Sequence, residues 1–188
     1  MKLNNKRTIL VGLAFLSICA FWQMYDSVVP LILTKTFHMN ETFSGAIMAA
    51  DNILALFLLP FFGSLSDRSH SKIGKRMPFI LFGTGCAVIL MNILPLLDNS
   101  YTAQPSGLKT ASFVIVLGLL LVAMGTYRSP AVALMPDVTP KPLRSRANAI
   151  INLMGAVGGI LYLGVAAVLY PNSKTAGLDH VNYQPLFI

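Results

Sequence analysis

Apolar stretches with few charges divide this sequence into five segments, at residues 8–35, 42–65, 77–97, 110–135 and 147–170. An α-helix rises about 1.5 Å per residue, so about 20 residues cross a hydrocarbon core of about 30 Å. The apolar residues run continuously instead of alternating, which favours helices over the strands of a membrane barrel. We therefore predict an all-α membrane protein with five transmembrane helices.

The composition excludes several classes of soluble protein. Of the 188 residues, 55% are hydrophobic and 11% are charged, whereas soluble domains carry about 25% charged residues. The formal net charge is +7, but the cations fall in short gaps between apolar stretches instead of forming one basic face. We expect the lipid bilayer, and not a nucleic acid, to be the partner of this chain.

No catalytic or metal-binding pattern accompanies the predicted helices. Cys19 and Cys86 lie within apolar stretches, and His38, His70 and His180 are far apart in sequence. These spacings match neither a zinc site nor a nucleophilic triad. We expect no metal, no cofactor and no enzymatic activity.

Lysine and arginine are distributed unevenly between the two ends of the predicted helices. Cytoplasmic loops of membrane proteins are enriched in these residues, so we predict a multi-pass protein of the plasma membrane with a cytoplasmic amino terminus. Eleven cations fall on the predicted cytoplasmic side: Lys2, Lys6, Arg7, Arg68, Lys72, Lys75, Arg76, Arg128, Lys141, Arg144 and Arg146. Three fall on the other side: Lys35, Lys109 and Lys174.

Polar residues inside the helices are candidates for contact with a solute or an ion, because a charged side chain at the bilayer centre costs about 2.5 to 3.5 kcal/mol. In helix 1, Gln23, Asp26 and Pro30 form one polar stripe. The candidates for solute or ion binding are Gln23, Tyr25, Asp26, Asp51, Asn52, Asn148 and Asn152.

The two acidic candidates differ in their alternative interpretations. Asp26 lies in the outer half of helix 1, where water or Lys35 can solvate it, and Trp22 and Tyr25 beside it can be ordinary interface anchors. Asp51 lies about 13 Å from the outer end of helix 2 and is therefore expected near the middle of the membrane. Because no cation adjoins Asp51 in sequence, a passive role is harder to explain for it.

Helix 5 carries a second polar stripe. Asn148, Asn152, Gly155 and Gly159 advance by four, three and four residues and therefore share a face. Gly155 and Gly159 form a GxxxG pattern, which lets helices approach closely. Helix packing is the simpler interpretation of this face, and solute contact is the alternative.

Charged residues in the predicted cytoplasmic connections can join the ends of neighbouring helices. We expect Asp67 to pair with Arg68 or Arg76, and Asp137 with Arg144 or Arg128, although the topology signal alone could account for these cations. The candidates for this conformational latch are Gly63, Asp67, Arg68, Gly74, Lys75, Arg76, Arg128, Asp137 and Arg144.

Two sequence motifs carry a family resemblance. Residues 63–68 read G-S-L-S-D-R and are followed by G-K-R at 74–76 and P-F-I at 78–80. Residues 134–140 read L-M-P-D-V-T-P and are followed by R-S-R-A-N-A at 144–149. Together they resemble loops 2–3 and 4–5 of the major facilitator superfamily, in its branch of glycoside-pentoside-hexuronide and sucrose-type sugar:cation symporters.

The resemblance implies a fold of twelve helices in two halves of six, with the solute held between the halves and alternating access to it. The chain resembles helices 1 to 5 of the amino-terminal half, and a sixth helix starts near residue 183. We therefore expect an incomplete amino-terminal half, and a missing carboxy-terminal half that transport would need.

The function implied is symport of a small hydrophilic solute, such as a sugar, coupled to a proton or a monovalent cation. The alternative is a truncated, non-transporting membrane protein that acts only as an assembly partner for a helix bundle.

One departure from the resemblance concerns the coupling ion. The glycoside symporters carry acidic residues for the coupling cation at the helix 2 positions held here by Ala55 and Leu59. Because both residues are apolar in this chain, sodium coupling of that type is not expected. Asp51, about one turn farther outward, would be the replacement site for a proton or cation.

Overall fold

A computed structural model of the chain describes residues 5–103, 106–171, 175, 177–178 and 180–187. Lys2 and Lys174, which contribute to the charge distribution above, lie outside the described residues. The regular elements of the described residues are α1 (Asn5–Leu31), which continues as a π-helical turn (Ile32–Thr36), α2 (Glu41–Arg68), α3 (Met77–Ala103), α4 (Gly107–Val138), a 3-10 turn (Lys141–Leu143), α5 (Arg144–Leu169) and the one-turn α6 (Gln184–Phe187).

The helices α1 to α5 are long and apolar enough to cross a membrane. Their candidate spans contain 26 to 32 residues, which corresponds to about 39 to 48 Å of helix. These lengths exceed a hydrocarbon core of about 30 Å. The prediction of an all-α membrane protein with five transmembrane helices is confirmed.

The helices extend beyond the apolar stretches that predicted them. Helix α3 reaches Ala103 instead of residue 97, and α4 runs from Gly107 to Val138 instead of from 110 to 135. Polar residues continue the backbone hydrogen bonding of a helix after its apolar part has ended. At the start of α4, Ser106 caps the helix by accepting a hydrogen bond from the Leu108 amide. Because these end residues are polar, hydropathy alone does not predict that they belong to the helix.

Helix α4 lies at the centre of the bundle. It packs against α2 on one side and α3 on the other and also contacts α1, which packs along α5. The α1–α5 contact depends on small residues. A Cβ atom on Gly158 would collide with the Leu16 carbonyl, and one on Gly155 would lie 2.8 Å from the Sγ atom of Cys19. Gly159, expected to pair with Gly155, instead leaves room beside Gln23.

The two ends of the bundle differ in charge. We call the end that carries the connections 69–76 and 139–143 the inner end, and the opposite end, where residues 37–40 join α1 to α2, the outer end.

Around the bundle, Leu56, Phe57 and Val168 expose between 69% and 78% of their surface. Large apolar side chains with this much exposure are expected on a surface that faces lipid or another apolar segment.

Helices α1 and α2 make few contacts with each other although both pack on α4. This arrangement leaves a cleft between α1 and α2, with α4 as its floor. The polar residues of the three helices meet in this cleft.

Candidate functional site

A cavity of about 260 Å³ lies between α1, α2 and α4. Complete sites for small molecules usually enclose about 300 to 1,000 Å³, so this cavity has the size of a partial site. The residues that line it are Trp22, Asp26, Asp51, Asn52, Ala55 and Arg128.

Helical periodicity brings these side chains to one place. Trp22 and Asp26 are four residues apart on α1 and therefore share a face, as do Asp51 and Ala55 on α2. The cavity therefore joins two carboxylates, one amide, one indole and one guanidinium. Of the sequence candidates for solute or ion binding, Asp26, Asp51 and Asn52 lie in it.

The two carboxylates lie at similar depth but differ in burial. Asp26 is about 6 Å outward of the middle of the span Thr8–Thr36, and Asp51 is about 5 Å outward of the middle of the span Glu41–Arg68. Asp26 is exposed, whereas Asp51 is 5% exposed. Asp51 was expected to lie deeper in the membrane than Asp26. In the structure, the two carboxylates differ in burial and not in depth.

Arg128 is the cation of the cavity. Its Cζ atom lies 4.6 Å from the centroid of the Trp22 ring, in a cation–π contact. Its charge acts on both Asp26 and Asp51. Among the described residues, no ion pair within 4.0 Å joins Arg128 to a carboxylate. The guanidinium is thus held by the indole within the field of two acidic groups.

The position of Arg128 differs from that expected for a partner of Asp137. It lies ten residues before the end of α4, which is about 15 Å along the helix, and it does not pair with Asp137. Arg128 was expected near the inner end of helix 4, with the cytoplasmic cations. Helix α4 continues to Val138, and Arg128 faces the cavity.

Two candidates on α1 lie beside the cavity and not in its lining. Tyr25 is fully buried in the core, with its ring 5.5 Å from that of Trp22 in an edge-on contact. Gln23 is half-buried, and its amide donates a hydrogen bond to the Ser27 hydroxyl at 3.4 Å. Neither side chain is among those that line the cavity.

The two asparagines of α5 are not part of this cavity. Both Asn148 and Asn152 are exposed. Asn148 lines a separate cavity of about 250 Å³ at the inner end of α4 and α5, together with Pro136, Arg144 and Ser145. The polar stripe of α5 therefore borders the α1 contact without joining Asp26 or Asp51.

Ala55 and Leu59 occupy the two positions at which the glycoside symporters carry acidic residues. Ala55 contacts the cavity, and Ala55 and Leu59 both line a small void next to Asp51. Among the residues that line the cavity, Asp26 and Asp51 are the acidic ones. A coupling ion in this cavity would therefore depend on these two carboxylates.

A charge cluster at the inner end joins three helices through one arginine. Arg76, at the start of α3, is 7% exposed. Its Nε atom donates to Asp137 of α4 at 2.6 Å, and its Nη2 atom lies 2.8 Å from Asp67 of α2. Its Nη1 atom donates to the Ser66 hydroxyl at 3.4 Å. We call Ser66, Asp67, Lys75, Arg76 and Asp137 the inner charge cluster.

The pair of Asp67 with Arg76 is as expected, whereas the partners of Asp137 differ from those expected. Asp137 pairs with Arg76 and, at 3.9 Å, with Lys75, and not with Arg144 or Arg128. Arg144 instead donates to the carbonyls of Pro136 and Thr139, which caps the end of α4. Arg68 is exposed, and among the described residues it forms no ion pair within 4.0 Å.

Glycine is required at positions 63 and 74 of the expected latch for two different geometric reasons. A Cβ atom on Gly63 would lie 2.9 Å from the Ser129 hydroxyl, so this glycine lets α2 and α4 approach. Gly74 has φ of +104°, a conformation that side chains other than glycine rarely adopt. The turn at Gly74 leads the chain directly to Lys75 and Arg76.

Sequence reasoning did not identify Trp22 or Arg128 as cavity residues. Trp22 was described as a neighbour of the polar stripe, with a membrane-interface anchor as the alternative, and Arg128 was placed in the latch. One signal could have found Arg128, because it lies in a nearly uncharged helix, where a charge marks a functional candidate. No local signal could have found the Trp22–Arg128 contact, since the two residues are 106 positions apart.

Comparisons with known proteins show which family and which proteins this chain is similar to. The family model of the Major Facilitator Superfamily matches residues 11–177. The sucrose transport protein SUC3 of Arabidopsis thaliana is 35% identical over 145 residues, which cover 71% of this chain and 24% of that protein. The sucrose transport protein SUT3 of Oryza sativa subsp. indica is 32% identical over 141 residues, which cover 68% and 28%.

A third relative is named for a different solute. The alpha-ketoglutarate permease of Escherichia coli (strain K12) is 26% identical over 179 residues, which cover 94% of this chain and 38% of that protein. The chain thus spans between 24% and 38% of the length of these three relatives. No solved structure matches the chain.

Proposed function

The chain belongs to the Major Facilitator Superfamily, and we propose that it supplies the amino-terminal part of the solute site of a carrier for a small hydrophilic solute of the sugar class. Transport would proceed by alternating access and would be coupled to a proton or a monovalent cation. The cavity between α1, α2 and α4 is the observation on which this proposal rests.

The groups in the cavity suit a polyhydroxylated solute. Asp26 and Asn52 are exposed to the cavity and can accept hydrogen bonds from hydroxyl groups. The indole Nε1 of Trp22 is buried and, among the described residues, has no hydrogen-bond partner. Names of relatives that include sucrose support the same class of solute.

The charges favour a coupled mechanism. With both carboxylates ionised and Arg128 charged, the cavity carries one net negative charge. Binding of a proton or a monovalent cation at Asp51 would remove that charge. A buried carboxylate without a close cation is costly, so its neutralisation changes the relative energies of the conformations that expose it. This property would link ion binding to solute movement.

One observation favours a second class of solute. Arg128 forms no close ion pair among the described residues, and a guanidinium can bind a carboxylate through two hydrogen bonds. An organic anion is therefore the second candidate, and the name of the alpha-ketoglutarate permease agrees with it. The two nearby carboxylates oppose binding of an anion, and for this reason we favour the neutral solute.

Competition in counterflow separates the two classes. We expect that unlabelled sucrose inhibits uptake of labelled sucrose into proteoliposomes that contain the complete protein, and that α-ketoglutarate at the same concentration does not. Labelled α-ketoglutarate provides the reciprocal assay. Uptake of the anion with no effect of sugars would favour the second candidate, and failure of both labelled solutes would contradict the proposal.

We also propose that the inner end faces the cytoplasm, which predicts a pattern of cysteine labelling. In a variant without native cysteines, Glu41→Cys and Leu108→Cys should react with an impermeant thiol reagent in intact cells. His70→Cys and Pro142→Cys should react only after the cells are made permeable. All four sites are exposed to at least an intermediate degree and avoid the helix caps at Asn40 and Ser106, so labelling reports orientation and not burial.

Permeabilised cells provide the control for the labelling experiment, because all four cysteines should then react. Labelling at residue 70 in intact cells, without labelling at residue 41, would reverse the proposed orientation.

A further inference from the structure

Arg128 shares a cavity with two carboxylates but is held by an aromatic ring. Its Cζ atom lies 4.6 Å from the centroid of the Trp22 ring. Among the described residues, neither Asp26 nor Asp51 forms an ion pair with it within 4.0 Å, although all four side chains line the same cavity. An arginine beside a carboxylate commonly binds it through two hydrogen bonds. The position of the guanidinium therefore has a structural cause.

Two other aromatic rings of α1 fix the orientation of Trp22. The Tyr25 ring lies 5.5 Å from the Trp22 ring and the Phe21 ring lies 6.5 Å from it, both in edge-on contacts, which aromatic pairs prefer. Tyr25 has no exposed surface, and Phe21 packs against the main core. The core of the bundle thus sets the position of the indole, and the indole sets that of the guanidinium.

The space beside Asp51 is bordered by the same two side chains. Trp22, Asp51 and Arg128 all line a void of about 10 Å³, which is about the space that one water molecule requires. Asp51 is 5% exposed, and a carboxylate so buried is costly unless a proton or a cation neutralises it. Because Arg128 lines the same void, it is the side chain that would take this role if the indole did not hold it.

The other ionisable groups near Asp51 cannot neutralise it. Those on the neighbouring helices are Asp26 and Tyr25 of α1 and Arg128 of α4. Asp26 is acidic, and a tyrosine hydroxyl is neutral below about pH 10. Arg128 is the cation of this set, so its position determines how readily a proton or another cation binds to Asp51.

We propose that Trp22 is a positioning residue that keeps Arg128 away from Asp51, so that a mobile ion instead of the arginine neutralises this carboxylate. This inference rests on the proposed coupling of transport to ion binding at Asp51. Without the aromatic face, Arg128 would pair with Asp51 through two hydrogen bonds. A cation tethered to the same cavity has a high effective concentration, so it would compete with the coupling ion. Trp22 thereby preserves the ion site without binding the ion.

Two substitutions separate this role of Trp22 from contact with a solute. The buried Nε1 atom is the donor that a solute could use, whereas the face of the ring holds Arg128. Trp22→Phe removes the donor and keeps an aromatic face, on which a guanidinium still binds, although less strongly than on tryptophan. Trp22→Leu removes both the donor and the aromatic face.

Modification of Asp51 by dicyclohexylcarbodiimide tests the inference in the complete protein, purified in detergent. The reagent modifies carboxyl groups in their protonated form, and mass spectrometry quantifies the product at residue 51. In Trp22→Leu, half-maximal modification should require a proton concentration at least about tenfold higher than in the protein with Trp22 intact, because Arg128 then stabilises the ionised carboxylate. Trp22→Phe is the matched control and should differ from the protein with Trp22 intact by less than about threefold.

The double variant Trp22→Leu/Arg128→Gln distinguishes positioning from a loss of packing. It should have the same proton requirement as Arg128→Gln alone, because no guanidinium remains to pair with Asp51. Trp22→Met provides a second variant without an aromatic face if Trp22→Leu does not fold. An unchanged proton requirement in the folded variant, or the same effect of the Trp22 substitution in the presence and absence of Arg128, would overturn the inference.

The carbodiimide measurement does not depend on transport. Its failure is therefore distinguishable from failure of the proposed function, which the counterflow assay tests separately.

Discussion

Replacement of Asp51 with asparagine should abolish accumulation of solute against a gradient while downhill exchange continues. The asparagine side chain would fill the same volume without a group that can bind a proton or a cation. A tenfold solute gradient stores about 1.4 kcal/mol, which only coupled ion entry can supply. We therefore expect the accumulation ratio to fall at least about tenfold, as measured by uptake of labelled solute into energised vesicles that contain the complete protein.

Asp26→Asn is the matched control for Asp51→Asn, because Asp26 lines the same cavity but is exposed. It should weaken apparent affinity and leave accumulation largely intact, since a hydrated carboxylate can keep its charge without a partner. If Asp51→Asn still concentrates solute in a manner that depends on the proton or sodium gradient, Asp51 is not the coupling site. Coupling would then depend on Asp26 or on residues outside this chain.

Arg76→Gln should slow turnover about tenfold and change apparent solute affinity by no more than a few-fold. Arg76 joins the ends of α2, α3 and α4, and a charged hydrogen bond contributes about 1.5 to 3 kcal/mol. The contribution is smaller here because the Asp67 side chain is 53% exposed. A loss of about 1.4 kcal/mol from one of the exchanging conformations corresponds to a tenfold change in rate.

Arg68→Gln tests whether the effect of Arg76→Gln is specific. Arg68 has the same charge and lies close to the same connection, but it is exposed and, among the described residues, lacks an ion pair. Its variant should transport normally. Asp67→Asn should give an intermediate rate, since Asp137 would still hold Arg76. Normal turnover of folded Arg76→Gln protein, or loss of solute binding in it, would contradict a conformational role for the inner charge cluster.

The transmembrane architecture was predictable because its cause is local. Each spanning helix requires only that about 20 neighbouring residues be apolar, and this property is present in the sequence itself. The motifs at 63–80 and 134–149 are also contiguous, so the family resemblance could be recognised from them. The comparison with the Major Facilitator Superfamily confirms that resemblance.

The partners of individual charges could not be predicted in the same way. Asp67 and Asp137 were expected to use separate cations, whereas the fold places both on Arg76. Arg128 was expected at the inner end, whereas the unbroken continuation of α4 places it over Trp22. Helical periodicity groups residues by face, but it does not state which face of one helix meets which face of another.

The sequence by itself determined that this chain is a bundle of five membrane-spanning helices with its cations concentrated at one end, because hydropathy and charge are properties of neighbouring residues. Only the tertiary structure decided that Asp26, Asp51 and Arg128 share one cavity and that Tyr25 lies in the core. Each of these contacts depends on the rotation and offset of helices that are distant in sequence. Those quantities follow from packing around α4, where glycines and large side chains of several helices must fit together at once.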